Sequence, residues 1–489
     1  MVDNKKNSFW LAFQYITVIL TSFITLKLNI SHFGLDLFGV FILISSFWGF
    51  GTLIDLGFGT AMIKFIAQSK HENDSEFNSL VSTGFIIFLI AGIIIFIGGN
   101  LLSDLVFFHN VKIIPAKFAV IAHPVFLLMG IFFFTQYLGV FFRSIVEGLN
   151  VFWISSRIVI LYNILTLISV ILTVVTHSNL IVLAGCYVLS SASTMIITII
   201  YIKVKYQVTL FKISLFSFRL FKRVLRFSIS VQFASLSGAA IDPVVKFLIG
   251  NYASINYVPY YEIARRFSTA LSGLFTTTFR YYLPKTSILK RKEEYVQFLF
   301  ESGAGLSRLS ITYSGLAFGL LQGAVAVVIK LWFGYDEVIF IFLLLSVSEV
   351  INNFGYVLYV FLIGIGKADF LMILQLFYLI ILSAGVAAGL ILFKSIMGLL
   401  GSFVAVAIIN ILLLWYVQRL SGISIKNYLS YVKINKLILL ISLIMITILS
   451  QYLKLIPAFP AVFSLSILSG IFFFSDIKLL FKNKLKFGF

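Results

Sequence analysis

Three charged side chains lie close together in one apolar stretch of this sequence. Glu262, Arg265 and Arg266 occur in residues 256–283, a segment long enough to cross a bilayer. Offsets of three and four residues place both arginines on the helix face that carries Glu262. One carboxylate neutralises only one guanidinium, and a guanidinium binds phosphate oxygens through two parallel hydrogen bonds. The group therefore suits an anion such as a diphosphate; the alternative is a structural ion pair between helices.

A further carboxylate, Asp55, lies inside the apolar stretch 38–67 among three glycines. A carboxylate at that depth costs roughly 2.5–3.5 kcal/mol on insertion scales, so it is expected to face protein or a water-filled cavity. Two roles are open for Asp55. It pairs with Arg265 or Arg266, or it titrates and couples transport to protons, because burial raises the pKa of a carboxyl group.

Asp242 and Lys246 are four residues apart in another apolar segment, and Pro243 follows Asp242 directly. The spacing allows an i,i+4 ion pair, and the proline is expected to bend the helix as a gating element. Lys246 either lines a cavity or extends its ammonium to the membrane surface.

A polar stripe is expected on one face of the apolar segment 338–364. It consists of Glu349, Asn352, Asn353 and Tyr356. These side chains either line a cavity and bind sugar hydroxyls or hold neighbouring helices together. Among the other intramembrane amides, Gln14 and Gln232 are the candidates for a cavity.

The composition requires elements that place these residues in a membrane. Of the 489 residues, 60% are hydrophobic and only 11% are charged, against about 25% charged in soluble domains. The apolar runs are uniform and long, which excludes the alternating strands of a barrel. We expect an all-α polytopic membrane protein with about fourteen transmembrane helices, the first two near 8–28 and 38–66. They are arranged as two six-helix lobes around a central cavity plus two extra C-terminal helices.

Charge placement predicts the domains. We expect a six-helix lobe at 1–202, a basic amphipathic cytoplasmic connector at 203–226, a second six-helix lobe at 227–420, and two additional transmembrane helices with a basic tail at 421–489. The Phe9-to-Gln14 spacing recurs from Phe227 to Gln232, which is consistent with repeated halves.

The basic residues also predict orientation. Lys and Arg concentrate in the segments that are inside when the N-terminus is cytoplasmic, so both termini are expected there. The net charge of +19 then reflects loops at an anionic leaflet and argues against nucleic-acid binding.

Several classes of chemistry lack their sequence signals. The chain has no glycine-rich P-loop, its five histidines lack metal-ligand spacing, and Cys186 is its single cysteine. We therefore expect no cofactor and no metal, and a transporter rather than an enzyme.

Several motifs together resemble the polysaccharide flippases of the O-antigen and capsule branch of the MOP (MATE/oligosaccharidyl-lipid/polysaccharide) exporter superfamily. The resemblance covers roughly residues 8–420, and its motifs are Phe38-Gly39, the Asp-Leu-Gly-Phe-Gly-Thr-Ala run at 55–61, the Arg-Ser-Ile-Val-Glu-Gly-Leu-Asn run at 143–150, residues 242–250, residues 261–266, Pro284 and residues 364–369.

This resemblance implies a flippase that moves an undecaprenyl-diphosphate-linked oligosaccharide repeat unit across the bacterial cytoplasmic (inner) membrane for lipopolysaccharide O-antigen or capsule synthesis. Its partners would be the lipid-linked oligosaccharide, membrane lipids, and a polysaccharide polymerase with other assembly proteins. Arg265, Arg266 and Lys246 would hold the diphosphate, and Asp55, Glu262, Asp242 and Glu349 would tune charge or couple transport to H⁺ or Na⁺. Two alternatives are a MATE-type small-molecule exporter and a membrane polysaccharide polymerase, which would be expected to carry a long outside loop.

Overall fold

The computed structural model describes residues 4–53, 58–69, 74–103, 114–149, 151–206, 212–279, 291–300, 304–432, 434–453, 455, 457 and 460–470. By its internal contacts the chain divides into two compact units, unit 1 (Met1–Pro259) and unit 2 (Tyr260–Phe489). The boundary between them falls in the first turn of a helix.

Unit 1 is built from helices throughout its described part. They are α1 (Asn4–Leu53), α2 (Phe58–Ser69), α3 (Asp74–Ser103), α4 (Ala119–Gly148), α5 (Phe152–Val175), α6 (Leu180–Tyr206) and α7 (Phe218–Tyr252), followed by the start of α8 (Tyr257–Phe279).

Unit 2 contains the rest of α8 and further helices. They are α9 (Lys292–Phe298), α10 (Ala304–Gly315), α11 (Gln322–Trp332), α12 (Asp336–Gly364), α13 (Ala368–Phe393), α14 (Gly401–Ser421), α15 (Ile425–Val432), α16 (Asn435–Tyr452) and α17 (Pro460–Gly470). A π-helical turn, Leu316–Leu320, lies between α10 and α11. The all-α fold class is confirmed.

Ten segments of the described chain are long and apolar enough to cross a membrane. They are Phe9–Gly49, Glu76–Ser103, Ala119–Gly148, Phe152–Val175, Leu180–Tyr206, Gly305–Trp332, Asp336–Gly364, Asp369–Phe393, Ile396–Ser421 and Asn435–Tyr452. Helices α7 and α8 are long enough, at 35 and 23 residues, but are not among them. The predicted total of about fourteen spans stays a prediction.

Helix α1 is two helices joined at Gly34, whose backbone has φ 73° and ψ 173°. An L-residue with a side chain rarely adopts such a conformation, so glycine is the residue that permits the break. The break lies between the first two predicted spans, 8–28 and 38–66, and separates them as expected.

The predicted connector, 203–226, overlaps the end of α6 and the start of α7. Lys203 and Lys205 lie in the last turn of α6, and α7 starts at Phe218, where the Ser217 hydroxyl accepts a hydrogen bond from the Leu220 backbone N–H. From there α7 is continuous to Tyr252, through the predicted boundary at 226/227 and through Pro243. The predicted domain limits and the gating bend stay predictions.

Each unit has its own packed interior. In unit 1, aromatic rings of α3 and α4 form much of the core, with Phe88, Phe141 and Phe142 at most 1% exposed. In unit 2, α12 is the central helix, because 83% of the residues in its 18-residue apolar stretch are buried. A charged side chain on α12 is therefore placed inside protein.

Candidate functional site

Helix α8 contains the ion pair that the sequence predicts. Arg266 Nε donates to Glu262 Oε1 at 2.8 Å, one helical turn away. The side chains are 33% and 15% exposed. The shared face of Glu262 and Arg266 is confirmed.

The second arginine of α8 binds a carboxylate on another helix. Arg265 Nη1 donates to Glu349 Oε1 at 2.5 Å, and the Ser272 hydroxyl donates to Glu349 Oε2 at 2.8 Å. Glu349 lies on the central helix α12 and its side chain is only 9% exposed. The carboxylate thus joins α12 to two positions of α8 that are two turns apart.

This contact changes the expected charge of the group. The sequence offered Asp55 as a partner for Arg265 or Arg266, and it predicted a net positive group of Glu262, Arg265 and Arg266. The structure adds Glu349, so the four residues carry two positive and two negative charges. A buried ion pair costs desolvation energy that good hydrogen bonds must offset, and the Ser272 hydroxyl supplies one of these bonds. The expectation of an excess charge within this group was wrong; its role in binding stays a prediction.

Lys246 and Asp242 form the predicted i,i+4 pair in unit 1. Lys246 Nζ lies 2.5 Å from Asp242 Oδ2, and the lysine side chain is 9% exposed. The ammonium is therefore held by α7 itself within the described part of unit 1. The lysine side chain is buried and paired, and its role in lining a cavity stays a prediction.

Two asparagines of the predicted polar stripe on α12 lie in different surroundings. Asn353 is fully buried, and its amide donates to the Ser314 hydroxyl of α10 at 3.5 Å. The Ser310 hydroxyl donates to the backbone carbonyl of Asn353 at 2.8 Å. Asn352 is exposed. Asn353 therefore connects α12 with α10, as one of the two alternatives stated, and the cavity role of Asn352 stays a prediction.

The other predicted site residues are only partly within the described ranges. Asp55 lies outside the described residues, and the Gln232 side chain is likewise outside them, although its backbone belongs to α7. Gln14 is half-buried on α1. Within the described ranges, no three His, Cys, Asp or Glu side chains lie together as a metal site would require.

Sequence reasoning missed a second polar junction, in unit 1. Glu147 at the end of α4 accepts a hydrogen bond from the Ser155 hydroxyl of α5, with an oxygen–oxygen distance of 2.5 Å. Arg143, one turn before Glu147, lies within electrostatic range of this carboxylate. The i,i+4 spacing of Arg143 and Glu147 was the available signal, but the pair stood only in a quoted motif.

A family profile accounts for more than half of the chain. The profile described as "Polysaccharide biosynthesis protein" matches residues 5–287. The chain belongs to this family. No curated protein sequence matches it.

Solved structures place this family member in the MATE/MurJ fold. A lipid II flippase MurJ, in an inward closed conformation, is 18% identical with a TM-score of 0.63, covering 98% of this chain and 99% of that one. An inward-facing multidrug resistance MATE family transporter of the MOP superfamily is 16% identical with a TM-score of 0.63, covering 82% and 95%. A MATE in complex with MaL6 is 14% identical with a TM-score of 0.51, covering 84% and 97%. The predicted resemblance to polysaccharide biosynthesis proteins is confirmed by the profile, and the solved structures show the MATE/MurJ fold.

Proposed function

We propose that this protein is a flippase for an undecaprenyl-diphosphate-linked oligosaccharide repeat unit in the bacterial cytoplasmic membrane. The observation that carries the proposal is the adjacent pair Arg265 and Arg266 in a helix of a polytopic protein that belongs to the polysaccharide biosynthesis family. The product would be a surface polysaccharide such as O-antigen or capsule. A polymerase and other assembly proteins would use the flipped unit.

The two arginines suit a diphosphate because each is both fixed and accessible. Their side chains are 29% and 33% exposed, although each is bonded to a carboxylate. Phosphate and carboxylate oxygens accept the same guanidinium hydrogen bonds. An incoming diphosphate therefore substitutes for Glu262 and Glu349 as the acceptor.

The carboxylates have a complementary role in this proposal. When no substrate is bound, Glu262 and Glu349 neutralise the guanidinium charges, which lowers the cost of holding them among apolar helices. When Arg265 turns to the substrate, Glu349 keeps the Ser272 hydroxyl as a donor. A coupling ion, H⁺ or Na⁺, would act on these carboxylates or on Asp55 and Asp242.

The second candidate function is export of a small molecule, as the MATE comparison suggests by fold. Coverage favours the flippase: the lipid II flippase structure covers 98% of this chain, whereas the MATE transporter covers 82%. The lipid II flippase structure thus matches a part of this chain that the MATE transporter structure does not match.

The test is depletion of the protein followed by extraction of lipid-linked glycans and assignment of the membrane face that holds them. Single repeat units trapped on the cytoplasmic face support the flippase. Units stranded on the outer face point to a polymerase, and no accumulation points to an exporter.

A site variant tests the arginines. Replacing Arg265 and Arg266 together by alanine should abolish transport while the protein still inserts into the membrane. Lys330→Ala is the matched control, because Lys330 forms an exposed ion pair with Asp336 at 2.7 Å in the same unit. Normal transport by the double variant would remove the arginines from the binding site.

A further inference from the structure

Arg157 of α5 lies against two indole rings in unit 1. Its guanidinium carbon Cζ is 4.3 Å from the ring centroid of Trp10 on α1 and 4.6 Å from that of Trp153, one turn earlier on α5. Both distances are within the range of about 6 Å at which a cation is attracted to a ring face. The packing of α1 beside α5 therefore creates a fixed position for this cation.

The arrangement leaves the hydrogen-bonding edge of the guanidinium available. Arg157 is exposed, and among the described residues it forms no hydrogen bond or ion pair. A cation–π contact to an indole ring uses the positive charge of the guanidinium, so its five N–H donors are not consumed by hydrogen bonds to the rings.

The helix positions of the two tryptophans are those expected at the headgroup level of a bilayer. Trp10 and Trp153 lie within the first two turns of α1 and α5. The two helices run in the same direction, because contacts of Trp10, Thr21 and His32 fall at successively later positions, at Arg157, Asn163 and Ser178. Next to Trp10, Phe9 and Phe13 are 63% and 44% exposed, as expected for side chains that face lipid. Tryptophan concentrates at membrane–water interfaces, where the phosphates of lipids also lie.

We propose that Arg157, held by Trp10 and Trp153, binds the phosphate group of a membrane lipid at this interface. The chemistry is a fork of guanidinium N–H donors on phosphate oxygens. The phosphate belongs to an anionic phospholipid headgroup or to a polyprenyl diphosphate. This site lies in unit 1 and uses none of the residues assigned to the α8 arginine group of unit 2.

The test measures lipid retained by the purified full-length protein in native mass spectrometry. The probes are phosphatidylglycerol, undecaprenyl diphosphate and, as the phosphate-free control, diacylglycerol. Arg157→Gln is expected to lower retention of a phosphate-bearing lipid by about tenfold or more, the loss of at least one charge-assisted hydrogen bond. Arg419→Gln is the control, since Arg419 is exposed and lies over a single indole, Trp415, at 5.8 Å.

Two further variants separate this site from general charge attraction. Arg157→Lys keeps the charge but lacks the planar fork, and Trp10→Leu/Trp153→Leu keeps the arginine but removes the rings; both should lower retention. A loss confined to phosphatidylglycerol identifies a phospholipid headgroup, and a loss confined to undecaprenyl diphosphate identifies the polyprenyl lipid.

Unchanged retention in Arg157→Gln, or an equal loss in Arg419→Gln, would overturn the proposal. If Arg157→Gln does not fold, Arg157→Lys and the tryptophan variant decide the question. Because binding is measured without transport, failure here is distinguishable from failure of the proposed flippase function.

Discussion

Glu349 is the carboxylate that holds Arg265 in a hydrogen-bonded ion pair. Its carboxylate is buried and bonds both Arg265 and Ser272. Without Glu349, a guanidinium within the bundle would lose its acceptor, which is far more costly than removing both charges together. The residue therefore couples the stability of unit 2 to the site proposed for the substrate.

Glu349→Gln should destabilise the protein by about 1–3 kcal/mol, less than the about 3–5 kcal/mol of a fully buried pair, because part of Arg265 is exposed to solvent. The double variant Arg265→Gln/Glu349→Gln should recover part of this loss. Thermal unfolding of the purified protein measures both. Glu337→Gln, an exposed change in the first turn of α12, is the control. If the effects of Arg265→Gln and Glu349→Gln, each measured alone, add up in the double variant, the coupling is contradicted.

A buried tyrosine outside the spans predicts how stability depends on pH. Tyr428 on α15 is 4% exposed, and its hydroxyl lies 2.8 Å from that of Ser307. Burial raises the pKa of Tyr428 to about 12 from its ordinary value of 10.0. Between these values the unfolded chain loses the proton while the folded protein keeps it, so this contribution to stability falls as pH rises above 10 and is constant below.

Tyr428→Phe should cost about 1 kcal/mol near pH 7, because the Ser307 hydroxyl loses its buried partner. Above pH 10 the gap between wild type and variant should close, as the wild type alone carries the titrating phenol. Unfolding measured from pH 7 to pH 11.5 tests this, with Tyr452→Phe at an exposed position as the control. A gap that is constant over the whole range would rule out the titration.

Among the elements, glycines determine how closely helices approach. A Cβ on Gly389 of α13 would lie 2.5 Å from the carbonyl oxygen of Gly398, and one on Gly385 would lie 2.8 Å from that of Gly401. Backbone atoms cannot move aside as a flexible side chain can. Small residues at such contacts are typical of packing between membrane helices.

Gly389→Ala should therefore destabilise unit 2 by about 1–3 kcal/mol through overpacking. The same change at Gly185 of α6, where an added Cβ meets no atom within 4 Å, should be neutral or stabilising by up to about 1 kcal/mol, since alanine favours a helix. Opposite signs in thermal unfolding would confirm the contact, and equal effects would contradict it.

One motif residue of the sequence has a packing explanation at this scale. Gly39 follows Phe38 on α1, and a Cβ there would lie 2.7 Å from the carbonyl oxygen of Ile255 in the turn after α7. Glycine permits this approach within unit 1. Gly39 of the Phe-Gly motif therefore has a packing role within unit 1.

At the scale of the whole molecule, orientation in the membrane can be tested with the two ends of α12. Its first residue is Asp336, and Lys367 directly follows its last turn. If the N-terminus is cytoplasmic, Asp336 lies outside and Lys367 inside. In a Cys186→Ser background, Asp336→Cys should react with a membrane-impermeant maleimide in intact cells, and Lys367→Cys should react only after the membrane is opened. The reverse result would invert the predicted topology.

Local and compositional properties could be read from the sequence because they depend on neighbouring residues. Composition alone required a polytopic helical protein. The i,i+4 offsets predicted the Glu262–Arg266 and Asp242–Lys246 pairs, and both are formed. The break at Gly34 also falls between the two spans predicted there.

The tertiary structure alone decided which distant side chains meet. Glu349 pairs with Arg265 across 84 residues of sequence, and Arg157 lies against Trp10 because α1 and α5 are neighbours. Asn352 and Asn353 point to different surroundings, since successive residues of a helix are about 100° apart. Uniformly apolar helices carry almost no periodic signal of their partners, so the pairing of charges between helices follows from packing and not from spacing.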